Sequence, residues 1–260
     1  MDQPKIQIYG IMACNVYWDF EKSPRGKFQH KFLISFYPTP GAFAPDLIET
    51  IIAYGPDDYK VQFSKDQKFD NENKDGWIYD PTYDNYWYMI NLDAGFMKDG
   101  EYTIEVTCKN GDVVKKSRYQ DNRKSDEILN AYLKNQYELY TSFEPSRLKP
   151  LPADSPLKDI KCKWKTLKDV ADVDAYYVTR VAEASTSMEF DTQKLAWWDN
   201  IYVQRMRGDA KAGINRGEVV ITSELKPKTS YGYFVEITDG NVQEEANICI
   251  FQPHQFFVTP

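Results

Sequence analysis

The sequence predicts an all-β protein in which two β-sandwich domains are joined by one amphipathic helix. Its 260 residues suffice for two domains that each bury a core. Aromatic residues, which strands favour, make up 15% of the chain. Two stretches, 102–108 and 231–237, alternate large apolar residues with the period of a strand. A third, 125–141, repeats apolar residues at helical spacing. The expected layout is a domain at 1–120, a helical connector at 121–143 and a domain at 144–260.

The first domain is predicted from a series of strands. Alternating patterns mark them at 5–17, 28–37, 59–63, 86–92 and 102–108. The apolar stretch 47–54 allows two interpretations, because Asp46 is able to cap a short helical turn or to precede a strand. Asn110-Gly111 is a strong signal for a tight hairpin turn into a last strand at 112–118. A lone histidine in an aromatic strand is more often packed than a ligand, and we interpret His30 so.

A polar loop in the first domain carries a candidate calcium site. Asn71, Asn73 and Asp75, followed by Gly76, have the spacing of the first ligands of a calcium loop. Oxygen side chains on alternate residues converge on a hard cation, and Gly makes the sharp turn. Position twelve of such a loop is Thr82, where a carboxylate is expected, and no flanking helix is evident. An acidic surface loop is the other interpretation, and we expect no cofactor other than calcium.

Two groups of aromatic residues are candidate ligand sites. The first lies within 77–88 and offers Tyr83 and Trp87, among Asp and Asn side chains. The second is the pair Trp197 and Trp198, next to Asp199-Asn200. Rings beside carboxylates and amides form platforms on which sugar rings stack. The alternative is core packing, the ordinary use of aromatic residues in strands.

The connector is the one clear helix. Ser125 is a candidate N-cap, and acidic residues follow it at the positive end of the helix. The apolar stripe comprises Ile128, Leu129, Tyr132, Leu133, Tyr137 and Tyr140. Such a stripe must be buried, either against the domains or against a partner, and we favour burial within the molecule.

The second domain is predicted from a proline-rich entry followed by strands. Ile160, Cys162 and Trp164 alternate inward on the first of these strands. Further strands are expected at 174–181, 217–222, 231–237 and 247–251, and the tail with Phe256 and Phe257 is expected to pack back on the body. An insertion at about 184–216 includes an expected strand at 201–206. The insertion is interpreted as a site or as a lid.

Two corners resemble known families. Leu225, Pro227, Thr229 and Tyr231 stand as Leu-x-Pro-x-Thr-x-Tyr, which resembles the corner before strand F of fibronectin type III domains. Asp99-Gly100-Glu101-Tyr102-Thr103 and the hairpin after it resemble the last strands of bacterial immunoglobulin-like domains. The resemblance implies sandwiches in which the hydroxyl groups of Tyr102 and Tyr231 bond to backbone upstream and close one end. It implies a fold and no chemistry.

Charge and cysteine usage limit the partners and the compartment. A net charge of −7 and a pI near 5.1 argue against nucleic acid as a partner. No apolar run is close to the length of about 20 residues that is needed to span a bilayer. Four Cys fall two per half, so Cys14 with Cys108 and Cys162 with Cys249 are either disulfides or buried thiols. An extracellular or cell-envelope location is expected if a signal peptide was removed; otherwise the location is unknown.

The function expected from these observations is noncatalytic. With two His, the sequence shows no recognisable nucleophile and base, and no phosphate loop. The resemblance implies a binding or structural module of a bacterial or archaeal extracellular or envelope protein, with a protein or glycan partner. One alternative is a carbohydrate-binding protein that uses exposed aromatic residues. The other is an unrecognised hydrolase, because 39 Asp and Glu residues leave room for a glycosidase pair.

Overall fold

In a computed structural model, strands dominate the residues that are described, which are 5–20, 26–70, 72–81, 84–168 and 174–260. One long helix and two short ones accompany the strands within those ranges. The predicted all-β class is confirmed.

Close contacts divide the described chain into two compact units. Unit 1 contains described residues of 1–16, 28–122 and 243–247. Unit 2 contains those of 17–27, 123–242 and 248–260. Neither unit is one continuous stretch, because residues near 20 belong to unit 2 and residues near 245 to unit 1. The expected domain limits, 1–120 and 144–260, stay a prediction about segments that fold on their own.

Unit 1 has eight strands and a one-turn helix in its described part. They are β1 (Ile6–Trp18, whose last two residues count with unit 2), β2 (Phe28–Pro38), α1 (Ala44–Leu47), β3 (Ile48–Tyr54), β4 (Lys60–Gln62), β5 (Asp75–Asp80), β6 (Asn85–Leu92), β7 (Gly100–Cys108) and β8 (Val113–Gln120). One sheet has the order β1-β2-β6-β5 and the other β4-β3-β7-β8. Both interpretations of 47–54 hold in part, since a helical turn leads directly into β3.

The core of unit 1 lies between its two sheets and is closed by Tyr102. Phe32, Ile34 and Phe36 of β2 face Ile104 and Val106 of β7 in one buried cluster. Tyr102 is 2% exposed, and its hydroxyl donates to the Lys98 carbonyl oxygen at 3.1 Å. This bond to backbone four residues upstream is the corner that the sequence predicts.

Unit 2 contains the long helix and the remaining elements. They are α2 (Asn122–Ser142, all but its first residue in this unit), β9 (Ile160–Lys163), β10 (Tyr176–Glu183), β11 (Leu195–Trp198), α3 (Ile201–Met206), β12 (Glu218–Ile221), β13 (Ser230–Thr238), β14 (Ile248–Phe251) and β15 (Gln255–Val258). β9 pairs with β12. Elsewhere in this unit, neighbouring strands follow the order β11-β10-β13-β14, and β15 pairs with β13.

The corner at Tyr231 is confirmed as well. The Tyr231 hydroxyl accepts a hydrogen bond from the Lys226 backbone N–H at 2.9 Å, five residues upstream. Tyr231 is 2% exposed and stacks with Phe257 of β15 at a centroid distance of 5.9 Å. The C-terminal tail therefore packs back on the body as expected.

Two local expectations are wrong. Residues 201–206 form helix α3 and not a strand, because the Asn200 carboxamide oxygen caps the turn by accepting from the Val203 N–H at 3.1 Å. Its apolar residues are consecutive and buried, a pattern that does not separate a strand from a buried helix. Helix α2 begins at Asn122, so Ser125 is a buried residue inside it and not its cap.

Part of the insertion at 184–216 acts as a lid on β13. Phe190 packs edge-on against Phe234 at a centroid distance of 5.4 Å and contacts His254 at 4.6 Å. Phe234 lies on the face of β13 opposite Tyr233, by strand alternation. β13 is consequently buried on both faces.

All four cysteines are buried, and they are thiols rather than disulfides. Of the two interpretations of the cysteine pairs, the structure has the buried thiols. Burial raises the pKa of Cys162 to about 12 and also raises that of Cys108. Both side chains therefore serve as small apolar core residues.

Candidate functional site

The predicted tryptophan pair in unit 2 does not form one platform. Trp197 and Trp198 are neighbours on β11, so their rings point to opposite faces. The Trp197 indole N–H donates to the Thr222 hydroxyl at 3.0 Å. Trp198 lies against the Arg180 guanidinium, whose carbon is 5.5 Å from the ring centroid. Both side chains are half-buried, so each offers part of a ring to solvent on its own face.

Two further contacts fix the position of the Arg180 side chain next to Trp198. Its Nη1 donates to the Glu236 carboxylate at 2.6 Å, and its guanidinium also lies 5.5 Å from the Phe234 ring centroid. Glu236 is only 1% exposed. A buried carboxylate needs such a partner, so this pair supports the fold of the β10–β13 ladder and fixes the surface around Trp198.

The other two predicted ligand residues belong to unit 1. Trp87 is half-buried on β6, opposite Ser35 of β2 and Ile78 of β5. Tyr83 lies outside the described residues. Because Trp87 belongs to unit 1 and Trp197 and Trp198 to unit 2, the four candidates are not brought together within either unit.

Four aromatic side chains, which we call the edge cluster, meet at β5, the last strand of its sheet. They are Phe43, Trp77, Tyr79 and Tyr86. Phe43 and Tyr79 are exposed, Trp77 is half-buried and Tyr86 is buried. The predicted core packing therefore holds for Tyr86, and Trp77 packs against the same core, whereas Tyr79 is exposed. Sequence reasoning missed Phe43 because it stands far away along the chain, alone in a proline-rich connection.

Helix α2 exposes half of its apolar stripe. Ile128, Leu129 and Tyr132 are buried as expected, and the Tyr132 hydroxyl donates to the Asp19 carboxylate at 2.6 Å. The other three members of the stripe are exposed, and we call them the α2 strip: Leu133 at 42%, Tyr137 at 82% and Tyr140 at 36%. Burial within the molecule is thus correct only for the first half of the stripe.

The candidate calcium ligands are engaged with protein donors. Asn71 lies outside the described residues. The Asn73 side-chain oxygen accepts from the backbone N–H groups of Asp70 and Asp75. The Asp75 carboxylate accepts from the Ser64 N–H at 3.1 Å and from its hydroxyl at 2.5 Å. Among the described residues, no group of three or more His, Cys, Asp or Glu is placed to hold a metal ion. The calcium site stays a prediction.

If calcium binds this loop, excess calcium is expected to raise the melting temperature and a chelator to lower it, because a ligand of the folded state stabilises that state. Magnesium at the same concentration is the control, since a loop of this kind is built for the larger ion. A melting temperature that is indifferent to calcium removes Asn71, Asn73 and Asp75 from consideration.

Both histidines are packed among aromatic rings. His30 is hydrogen-bonded through Nδ1 to the Gly95 carbonyl oxygen at 2.7 Å and through Nε2 to the Tyr59 hydroxyl at 2.6 Å. Burial lowers its pKa. His254 in unit 2 lies among phenylalanine rings, and burial lowers its pKa to about 4. Both imidazoles are thus neutral at pH 7, which fits the packed role expected for His30.

Comparison with known proteins yields structural likeness only. No protein-family model and no curated protein matches the chain. The tandem immunoglobulin repeats of Dlar align over 99% of this chain and 97% of that chain, with 9% identity and a TM-score of 0.32. The N-terminal Ig1-2 module of the Drosophila receptor protein tyrosine phosphatase DLAR aligns over 100% of both chains, with 10% identity and a TM-score of 0.36. The fibronectin(III)-like modules of Clostridium thermocellum CbhA align over 96% of this chain and 94% of that chain, with 9% identity and a TM-score of 0.22.

Immunoglobulin repeats and fibronectin(III)-like modules are thus among the solved structures that align with this chain, at identities of 9–10%. Nothing that those proteins bind is transferred to it. Within the described residues, no helix has the length and apolar character to cross a membrane.

Proposed function

We propose that the protein is a noncatalytic binding or structural module of a bacterial or archaeal protein, located outside the cell or on its envelope. We further propose that the α2 strip binds another protein. The observation that carries this proposal is the exposure of three large apolar side chains along one face of a packed helix. Tyr137, at 82% exposed, gives almost its whole surface to solvent.

The α2 strip is held in place by the opposite side of its helix. Leu139 of the helix and Phe143, which follows its last residue, are buried at 2% and 1% exposed. Glu138 pairs with Lys165 and, at 3.4 Å, with Lys168. A helix anchored in this way loses little conformational freedom when a partner binds, and tyrosine contributes a large contact area with few rotatable bonds. Contiguous exposed apolar side chains on a folded protein commonly mark such an interface.

An amphipathic helix is the partner element that suits this surface. Leu133, Tyr137 and Tyr140 follow the spacing i, i+4 and i+7, and they extend over about 10 Å of helix. That is the pattern by which one helix packs along another. The exposed charges beside the strip, Asp126 and Lys134, are of opposite sign, so apolar contact is expected to dominate the affinity.

Site-specific photo-crosslinking tests this function in the cells that produce the protein. A benzophenone amino acid at Tyr137 is expected to give a discrete covalent adduct. The same amino acid at Tyr119, which is 62% exposed on β8, is the matched control and is expected to give none. The captured protein must then bind the wild-type chain in purified form. Equal adducts at the two positions would contradict a specific surface on α2.

Carbohydrate binding is the second candidate, and the partly exposed Trp198 ring backed by Arg180 favours it. A glycan array is expected to give hits that vanish in Trp198→Ala, Trp197→Ala or Trp87→Ala. The control is Tyr119→Ser, which removes an exposed ring elsewhere. A clean array, or hits that survive all three tryptophan substitutions, would leave the protein-binding proposal alone.

The buried charges of unit 2 support the noncatalytic part of the proposal. Asp199 bonds to Arg216 and accepts from Gln204 at 2.5 Å. Burial raises the pKa of Asp199, and Arg216 opposes that rise. Asp19 pairs with Lys27 at 2.7 Å as well as with Tyr132. These carboxylates fasten loops and helices to strands, which is a structural use of buried charge.

A further inference from the structure

The edge cluster of unit 1 forms an aromatic corner. The Phe43 and Trp77 rings stand at 88° to each other with centroids 5.3 Å apart. The Tyr79 ring lies 5.0 Å from Tyr86 at 41°. Phe43 is 44% exposed and Tyr79 is 39% exposed. Rings that meet at steep angles suit a compact group held against several faces, whereas a sugar ring stacks best on a flat one.

Two carboxylates give this corner a negative charge. The Tyr79 hydroxyl donates to the Asp84 carboxylate at 2.8 Å, and this bond is the main reason that the pKa of Tyr79 is raised. Burial raises the pKa of Tyr86, and the charges of Asp84 and Asp46 raise it further. Both carboxylates therefore act on the rings, and their sign attracts a cation.

One of these rings already contacts a cation of the same chain. The Lys68 ammonium nitrogen lies 5.9 Å from the centroid of Trp77. The indole nitrogen of Trp77 points elsewhere, because it donates to the Asp66 carbonyl oxygen at 3.2 Å. The π face of Trp77 is thus presented to a positive group, and Lys68 shows which chemistry it accepts.

We propose that the edge cluster binds a lysine or arginine side chain of a partner chain, and that Lys68 competes with that side chain for the Trp77 ring. The incoming cation contacts the faces of Phe43, Trp77 and Tyr79, and the carboxylates of Asp46 and Asp84 attract it. This site is additional to the α2 strip, and its test does not involve α2.

Titration of the isotopically labelled protein with a short peptide, acetyl-Gly-Lys-Gly-Lys-Gly-amide, tests the proposal. The Trp77 indole N–H signal is expected to shift with the lysine peptide and not with its glutamine counterpart. Exposed cation–π contacts have energies of roughly 0.5–1 kcal/mol, so Phe43→Ser or Tyr79→Ser is expected to weaken binding about threefold to fivefold. Asp84→Asn, nearly the same in shape, is expected to weaken it and to reduce its dependence on salt.

Lys68→Gln provides the sharpest readout, because it is expected to strengthen binding of the peptide about threefold by removing the competitor. Lys60→Gln is the matched control. It removes the same charge from another lysine of unit 1, whose ammonium lies 5.6 Å from the Tyr54 centroid. Equal affinities of the two lysine variants would overturn the competition. An unshifted Trp77 signal, equal binding of the glutamine peptide, or binding of a cello-oligosaccharide in place of the lysine peptide would overturn the site.

Discussion

Lowering the pH from 7 to 4 is expected to destabilise the folded protein by about 3 kcal/mol through His254 alone, since a pKa difference of 1 between the folded and unfolded chain corresponds to about 1.4 kcal/mol. Burial lowers the pKa of this imidazole from 6.5 to about 4. The side chain is 6% exposed and lies 4.3 Å from Phe20, 4.6 Å from Phe190 and 5.3 Å from Phe234, between ring centroids. Its Nδ1 has no hydrogen-bond partner among the described residues.

The sign of the effect follows from where the proton binds. Between pH 6.5 and about 4 the unfolded chain holds a proton on His254 that the folded chain does not. Stability is therefore full above pH 6.5, falls as the pH decreases through this window and levels off near 4. Arg147, whose guanidinium lies over the Phe256 ring at 4.7 Å, brings a positive charge to the same aromatic surround.

Urea unfolding measured across this pH range checks the expectation. His254→Phe places a similar ring among the phenylalanines and is expected to remove this part of the acid sensitivity. His30→Phe is the control for the second buried histidine, whose pKa is also lowered by burial. It is expected to leave the contribution of His254 intact. Parallel stability curves for wild type and His254→Phe would show that this histidine does not carry the effect.

Gly55→Ala is expected to destabilise unit 1 by about 3 kcal/mol, at the upper end of the usual cost of over-packing. A Cβ at this position would lie 2.2 Å from Cε1 and 2.4 Å from Cδ1 of Tyr102. The ring is not free to move away, because its hydroxyl bonds to the Lys98 carbonyl and Phe32 lies 5.8 Å from it. The substitution therefore displaces the corner that closes this sandwich.

A double-mutant cycle identifies the cause of that loss. Tyr102→Leu makes room for the added methyl group, so the two substitutions together are expected to cost less than the sum of their separate effects. Gly95→Ala is the comparison, since its Cβ meets nothing within 4 Å and only its positive φ of 77° opposes the change. It is expected to cost about 1 kcal/mol. Strict additivity at Gly55 and Tyr102 would mean that the ring is not the obstacle.

Period-two patterns located the strands whose two faces differ. β7 alternates buried Tyr102, Ile104, Val106 and Cys108 with partly exposed neighbours, and the pattern predicts it residue by residue. β5 has no such alternation and was missed, because as an edge strand it is mostly half-exposed. Helix α3 was missed because a single cap, Asn200, decides its conformation. The sequence signal of a single capping residue is weaker than that of the apolar pattern around it.

Each unit includes short segments that are distant along the chain from the rest of it. Contacts between residues far apart in the sequence place these segments there. The Arg118 guanidinium bonds to the Ala246 carbonyl and, at 2.5 Å, to the Asn247 side chain, which gathers residues 243–247 into unit 1. No local pattern predicts this contact, because an arginine on a strand is expected from the sequence to face solvent. The sequence analysis assigns Arg118 to the first continuous domain and Asn247 to the second.

The binding surfaces were only partly predictable for the same reason. The helical period of α2 predicts the apolar stripe correctly. It does not predict where along the helix the stripe stops being buried. Tyr132 is 1% exposed and Tyr137 82% exposed, although both belong to the predicted stripe. The edge cluster combines Phe43 with Trp77 and Tyr79, which sequence distance separates. The local composition identifies the stripe and the aromatic residues within 77–88 but not Phe43, and tertiary packing decides which of these residues are exposed to solvent.

The affinity of the crosslinked partner for two matched double variants tests the central claim most directly. Leu133→Ser combined with Tyr137→Ser removes the centre of the α2 strip. Val113→Ser combined with Tyr119→Ser removes two apolar side chains of β8 that are 54% and 62% exposed. If the strip contains a hot spot of about 2 kcal/mol, the first variant binds about 30-fold more weakly by calorimetry, and the second binds like wild type. Equal affinities for the two variants would contradict the claim that this helix face is the binding surface.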